Sequence, residues 1–527
     1  MKSRIGGLYA ALSSMGLLLS GCEEPKSVFD KTVEAMGGAA LEAATLERTV
    51  GTGGRYDPGE SPAPGKNYKK ADITTDRLLA LEGRRSHTRH QISTNALFPL
   101  QMDFTEIVNG DTGYVDGVDA AFGGSPRSAM DSARLASRER EAWLFSPTRL
   151  LKLARRTPQH VTQEQPVTRE GKRYEAFSVL TGPGAIYKVL VDPATSRVAR
   201  VETLEDHPPL GDVVISATYE DYKEVNGVQV PGRVTVRADG DELQDETRTE
   251  LALPASATEE QFAVPADFQA EFNEADSLFG SRYSQWGIGF GVVGFNYFYG
   301  DQGKYPVTFE QVAPGAQVIG GTNHNQMLLE MSDHLVLVDA PLYESRSLAV
   351  LAELKKRYPN KPIRYVVLTH FHYDHSGGLR TFLAEGNVTV LVHTISAGFV
   401  EQVLERPHTV APDRYELNKV PVTVRAVSTL ERLTDSAGKV VELHKVASSH
   451  SEDMLVVYVP ETKLLLETDL FIPNPYTNGQ PGFGRYATWS GELYDEVVRL
   501  GLPVEAIAGG HGQGTATLEH LRIAGGK

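Results

Sequence analysis

Cysteine is all but missing from these 527 residues: Cys22 is the only one. A lone thiol closes no intramolecular disulfide, so the mature fold must rest on its hydrophobic cores. Any metal site is then left to histidine and carboxylate ligands. Positive charge is short as well. With 52 Lys and Arg against 68 Asp and Glu, the net charge is −16, which argues against a protein that holds nucleic acid through nonspecific basic contacts. Beyond the first 21 residues no apolar run reads as a transmembrane helix. No repeat of solenoid period is found. No cluster of ligating side chains precedes residue 300, where His87, His90, His160 and His207 are scattered.

What is present is concentrated at His370-Phe371-His372-Tyr373-Asp374-His375. Four groups able to bind a metal follow directly on the apolar run Tyr365-Val366-Val367-Leu368, which reads as a buried strand. The bland alternative is a polar loop of satisfied histidines, but solvated loops are ordinarily built from Lys, Glu or Ser. Neutral imidazole and carboxylate suit borderline-soft zinc when no thiolate is on offer. On a tight loop His370 and His372 converge on one ion, while Asp374 and His375 turn toward a second position. Four ligands are too few for two ions, and further donors stand at later strand ends: His450 before Met454–Val459, Asp469 after Leu464–Leu466, and His511 between glycines after Val504–Ala508. Glycines beside His511 are expected to let the backbone approach an ion.

These pieces resemble the metallo-β-lactamase superfamily of metallo-hydrolases: the His-x-His-x-Asp-His loop, the lone His450, Asp469 after a strand, and Gly-His-Gly around His511. Val312–Gly315, Asn323-His324-Asn325 and Val336–Ala340 add to the likeness, which covers about residues 286–527. It implies a four-layer αβ/βα sandwich, with one metal on His370, His372 and His450, a second on Asp374, His375 and His511, and Asp469 bridging both. Two Zn2+ are expected, with Fe or Mn as alternatives. Two such cations lower the pKa of a shared water and polarise the scissile group, and Asp374 orients the nucleophile or relays its proton as a catalytic residue. The implied activity is hydrolysis of an ester, lactone, thioester or related bond in a small-molecule substrate. A β-lactamase proper is the alternative enzyme, although Asp469 stands where true β-lactamases of this superfamily usually lack a bridging aspartate. A noncatalytic envelope protein that binds lipid or lipoprotein is the alternative of another class. Among the other polar residues, His324 and His334 read as structural and His393 as a packing or supporting residue. Asp339 either supports the ligand loop through hydrogen bonds or caps a turn.

The chain opens with Lys2 and Arg4 followed by a short, mostly apolar stretch, the pattern of a secretory signal. Leu19-Ser20-Gly21-Cys22 resembles the bacterial lipoprotein processing site, implying cleavage before Cys22 and its lipidation. The expected location is the bacterial cell envelope, facing the periplasm through a membrane lipid anchor, with the outer membrane favoured by Glu23-Glu24. An ordinary signal peptide with a chance cysteine is the alternative.

The organisation expected is a signal peptide at 1–21, an anchor linker at 22–27, an accessory domain at 28–268, a linker at 269–285 and the catalytic domain at 286–527. The fold class is α+β, a mostly antiparallel β domain preceding the sandwich. Val28–Met36 reads as a helix, Gly51–Lys66 as an excursion of loop, and Ser132–Leu144 and Pro147–Arg155 as helices. The accessory domain resembles the lipoprotein-carrier class, a curved antiparallel sheet around a helix, through Val191–Thr195, the Tyr219 and Tyr222 pair, Val225–Pro231 and Phe262–Pro265. That likeness implies a lipid or lipoprotein partner; a purely structural role is the alternative. Two aromatic segments stand out. Trp286–Gly300 is either a membrane- or substrate-touching surface or a buried strand, and Phe471–Trp489 either a substrate lid or a cover over a core edge.

Overall fold

The computed structural model describes residues 26–119, 125–182, 185–269, 272 and 307–527. The signal segment, Cys22 and most of the expected linker, together with Trp286–Gly300, lie outside the described residues. The chain is α+β, with a large antiparallel sheet in the amino-terminal part and a sandwich of two facing sheets in the carboxy-terminal part.

The amino-terminal sheet has thirteen strands, each paired antiparallel to its neighbours. Beside its middle strand, Asp241–Ala252, runs the strand Leu46–Tyr56, which pairs with it on one side and with Lys69–Ala80 on the other. The glycines expected to make this region a loop permit the pairing instead. A Cβ on Gly53 would stand 1.8 Å from the Asp245 carbonyl oxygen, so only glycine lets the two backbones come this close. The loop shrinks to the residues after Tyr56. Helices Ser132–Phe145 and Pro147–Arg156 pack Leu144, Phe145, Leu150 and Leu151 against Phe177, Val189, Val213 and Val234 of the strands. Ser146 caps the second helix, its hydroxyl accepting from the Arg149 N–H at 3.1 Å. Val228–Val230 closes a two-stranded hairpin with Lys223–Val225 before the chain returns to the sheet at Arg233–Ala238.

In the carboxy-terminal part a seven-stranded mixed sheet faces a five-stranded one. Val336, Val338 and Val367 of the first meet Leu443, Val457 and Leu466 of the second in an apolar layer between the sheets. Helices Glu344–Arg357 and Ala397–Glu405 cover the outer face of the larger sheet, and Gly484–Leu500 with Leu518–Ala524 cover the smaller. The aromatic segment after Asp469 is therefore only partly a loop, since Tyr486 and Trp489 belong to the helix Gly484–Leu500. Among the described residues no helix is long and apolar enough to cross a membrane.

The two parts are joined along a polar seam. Arg406 donates to the carbonyls of Leu210 and Asp212, both at 2.6 Å, and Asp212 accepts from the Thr409 N–H at 2.8 Å. Arg485 donates through its backbone N–H to Leu97 O at 2.7 Å and through Nε to Asn95 O at 2.9 Å. A cavity of about 330 Å3 lies in the seam, lined by Pro58, His207, Asp241, Tyr373, Phe399 and Arg406.

One buried carboxylate holds the middle of the amino-terminal sheet. Glu246, fully buried, accepts from Thr75 at 2.9 Å and from Arg248 Nε at 3.1 Å, with Arg77 Nη1 at 3.3 Å. Burial alone would raise its pKa, but Arg77 and Arg248 overcome that and hold it at about 2. Because the folded value lies below the unfolded one, the stabilisation is present above about pH 4.3 and is lost as pH falls toward 2. We expect Glu246→Gln to cost about 3–5 kcal/mol at pH 7, two guanidiniums losing their counter-charge. Urea unfolding of both proteins at pH 7 and pH 3 checks this: the gap should narrow at the lower pH, and equal midpoints at pH 7 would show that the ion pairs stabilise nothing.

Candidate metal centre

The site is assembled at the strand ends of the two facing sheets. The strand Ile363–Val367 ends just before Thr369, and His370 and His372 follow on the loop, while Asp374 and His375 occupy a single helical turn, Tyr373–Ser376. His450 precedes the strand Leu455–Val459, Asp469 follows Leu464–Glu467, and His511 follows Ala506–Gly509. The structure therefore brings all seven sequence-predicted residues to one place. His370, His372, His450 and Asp469 offer ligand atoms within 4.8 Å of one another, and so do His324, His375 and His511.

Asp469 stands between the two groups. Its Oδ2 lies 3.0 Å from His450 Nε2 and 3.2 Å from His370 Nε2. Its Oδ1 lies 3.0 Å from both His375 Nε2 and His511 Nε2. Asp374 reaches the second group through Oδ2, which is 3.7 Å from His375 Nε2 and 3.0 Å from His324 Nε2.

The outer nitrogens explain how the rings are aimed. His375 Nδ1 is 2.9 Å from Asp339 Oδ2, and His511 Nδ1 is 2.8 Å from the Asn323 carbonyl. His372 Nε2 is 3.0 Å from the Ser61 carbonyl, and His324 Nδ1 is 3.0 Å from Asn323 Oδ1. Each of these partners is an acceptor, so each outer nitrogen carries the proton and donates it. The other nitrogen of each ring points inward, and in His375, His511 and His324 that nitrogen faces a carboxylate oxygen. Between His370 and His450 two Nε2 atoms stand 3.3 Å apart. Nitrogens and carboxylate oxygens gathered this closely must share protons or a cation, and imidazole with carboxylate is the donor set a divalent cation requires. Asp374 Oδ1, Asp469 Oδ1 and His375 Nε2 are buried without a hydrogen-bond partner, so the residues fit a metal.

The titration behaviour has the same origin. Burial, reinforced by His370 and His450, lowers the His372 pKa well below its usual value. Burial also lowers His450, and it takes His324, beside His511, down to about 4. Neutral imidazoles of this kind are ligands. Burial opposes the charge on Asp374 and Asp469 too, yet His375 outweighs it, together with His324 for Asp374 and with His370 and His450 for Asp469, and both carboxyls fall well below their usual range. His375 is driven the other way: burial would lower it, but Asp469 and Asp374 raise it well above its ordinary value. The centre calls for positive charge.

Asp339 supports the ligand loop rather than serving as a mere cap. It is fully buried at φ +62° and accepts from the Thr369 N–H at 2.8 Å while holding His375. An aspartate tolerates this left-handed conformation better than most residues, and such strain is found where surrounding structure fixes it. His393 lies outside both groups, its Nε2 at 3.2 Å from Ser428 O and its Nδ1 accepting from the Ile395 N–H. His334 is tied to Asp333 at 2.7 Å, away from the site. His324 departs from its structural reading and joins the second group. The signal available was the polar triplet Asn323-His324-Asn325 between the strands Ala316–Gly320 and Gln326–Glu330, the same strand-end setting as the other donors. The glycines at His511 serve protein packing. A Cβ on Gly510 would lie 2.8 Å from Thr468 Cγ2, and one on Gly512 would lie 2.0 Å from Pro473 O. Trp489 meets His450 edge-on at 4.6 Å, so the helix after the aromatic loop backs the first group directly.

Residues 319–511 match the family model described as the metallo-beta-lactamase superfamily. A linear primary-alkylsulfatase of a Pseudomonas species is 27% identical over 201 residues, 32% of this chain and 38% of that protein. The chain therefore spans well under half the length of this curated relative. Two solved metallo-beta-lactamases share the shape loosely. The FIM-1 enzyme of Pseudomonas aeruginosa in its mono-zinc form is 21% identical, covering 43% of this chain and 96% of its own at a TM-score of 0.31. The enzyme of Hirschia baltica is 19% identical, covering 42% and 96% at 0.32. At these scores neither likeness bears on mechanism. Both groups of donors thus lie inside the segment, residues 319–511, that matches the metallo-beta-lactamase superfamily.

Proposed function

We propose that this protein is a dinuclear zinc hydrolase of an ester, lactone, thioester or related bond, anchored in the bacterial envelope through Cys22. The observation that carries the reading is the Asp469 carboxylate, with one oxygen toward His370 and His450 and the other toward His375 and His511. In this reading His370, His372 and His450 hold one ion, Asp374, His375 and His511 the other, and Asp469 both. His324 adds a donor to the second group. Zinc suits the histidine-rich set, and iron or manganese is the alternative. Two such cations supply a water acidic enough to act as nucleophile near neutral pH and an electrostatic sink for the charge that develops on the scissile group.

The chain's own residues supply the rest. Asp374 presents the buried Oδ1, which has no hydrogen-bond partner, as the acceptor for a proton leaving the nucleophile. Asp339 keeps His375 in one tautomer and one orientation. Tyr486 lies near the carboxylates of Asp469, Glu60 and Asp374; burial first, and then their charge, raises its phenol pKa and keeps it a neutral hydrogen-bond donor beside the substrate space. The alkylsulfatase relative adds a sulfate ester to the bonds worth assaying. A β-lactamase proper is the second enzymatic reading; the Asp469 position weighs against it.

Metal analysis of the purified mature protein should find two zinc ions per chain, and a chelator should abolish hydrolysis across a panel of carboxylic, thio- and sulfate esters, lactones, phosphodiesters and β-lactams. His372→Ala should lose metal and activity together. Asp469→Asn should lower occupancy of the paired site while circular dichroism stays unchanged. Full metal content in both variants contradicts the ligand assignment. A metal-loaded parent that cleaves nothing in the panel favours a noncatalytic envelope binding protein instead.

Asp339→Asn should weaken metal binding by about 10- to 100-fold, the usual cost of losing the partner that orients a ligating histidine. Titration against a chromophoric chelator measures this, and parental affinity would remove Asp339 from the centre. For the anchor, Cys22→Ser should move the protein from the detergent phase to the aqueous phase on partition. A variant that still partitions with detergent excludes lipidation at this residue.

A further inference from the structure

The donor ring of His372 is not finished by its own domain. The nitrogen that would otherwise be unpaired, Nε2, faces the carbonyl of Ser61, which lies in the loop between the strands Leu46–Tyr56 and Lys69–Ala80, 311 positions earlier in the chain. Since a carbonyl only accepts, the proton sits on Nε2, and Nδ1 is the one nitrogen of His372 left to ligate.

The same short loop grips both arms of the first group. Gly59 lies flat on the Tyr373 ring, where a Cβ would stand 2.1 Å from Cδ2. The Pro62 carbonyl accepts from the Glu452 N–H at 2.7 Å and from the Ser451 hydroxyl at 3.4 Å, immediately after His450. From beneath, Lys70 ties the loop down. Its ammonium is buried to 2% exposure and bonds to Asp57 Oδ2 at 3.0 Å and Glu60 Oε2 at 2.8 Å. Asp57 in turn accepts from the Gly59 N–H at 3.1 Å. A buried lysine with two carboxylate partners is a costly arrangement to break, so the loop is held in one place.

We propose that the loop Asp57–Pro62 is a working part of the metal centre: the Ser61 carbonyl sets the tautomer and orientation of His372, with Lys70 as the residue that positions the loop. The accessory loop thereby completes a donor of the first metal group, its hydrogen bonds reaching His372, Ser451 and Glu452. This rests on the dinuclear reading above, and the experiment separates the two. Apo-protein is titrated with zinc against a chromophoric chelator, so that the two ions are resolved by affinity. Lys70→Met and Gly59→Ala should each weaken one ion by about 10- to 100-fold and leave the other at its parental affinity. Lys70→Arg should recover part of the loss.

The control is Lys152→Met, which removes a comparably buried lysine bonded to Glu82 at 3.1 Å in the same sheet unit but away from the loop. It should bind zinc like the parent. Gly59→Ala moves the loop off Tyr373 without touching Lys70, so the contact is still tested if Lys70→Met does not fold. Parental affinity for both ions in the folded loop variants overturns the proposal. So does an equal loss at both ions, or the same loss in Lys152→Met. A parent that binds no zinc overturns the dinuclear reading itself.

Discussion

The contact on which the centre depends is the convergence of imidazole lone pairs on the Asp469 carboxylate. Four ring nitrogens lie 3.0–3.2 Å from its two oxygens. In a protein interior such a set is unfavourable by itself, because buried polar groups without compensating partners cost several kcal/mol. The fold compensates from outside the ring of donors. Asp339, the Asn323 carbonyl and the Ser61 carbonyl each take up a proton-bearing nitrogen, fixing the rings so that the inward nitrogens have no choice of direction. Positive charge among them then turns a repulsive cluster into a coordination sphere.

This arrangement explains why the surrounding elements are rigid where they meet the site. Asp339 holds both the backbone of Thr369 and the ring of His375, so one strained aspartate couples the strand end to the helical turn that follows it. Glycines at 510 and 512 let the segment carrying His511 press against Thr468 and Pro473, next to Asp469 in the chain. The geometry is set by close backbone packing, and the ion would be its beneficiary.

Much of this was legible in the sequence because it is local. The strands at 363–367, 455–459 and 464–467 are built around the apolar runs 365–368, 455–459 and 464–466, and His370, His450 and Asp469 stand beside their ends. Helix Pro147–Arg156 was readable from Ser146 and Pro147, which act within one turn. The rest depends on partners far away in sequence. Nothing near Gly51–Gly54 tells that the strand Asp241–Ala252 will lie against it, and glycine has low intrinsic preference for strands. A lone His324 among asparagines carries no mark of the groups it will meet, His375 and His511. Ser61 contributes through its backbone carbonyl, which every residue possesses, so no side-chain pattern could have announced it.

The strand Leu46–Tyr56 also dictates when the molecule can be completed. It pairs with a strand remote in sequence, as the 191-residue separation of Gly54 and Asp245 shows. Contacts this remote carry a large loop-closure entropy and form slowly. The turn bearing Ser61 leaves directly from this strand, while the ring it meets, His372, lies 311 positions further along the chain. Both must be in place before the donors converge, so in the proposed reading the docking of the two sheet systems precedes completion of the ion site.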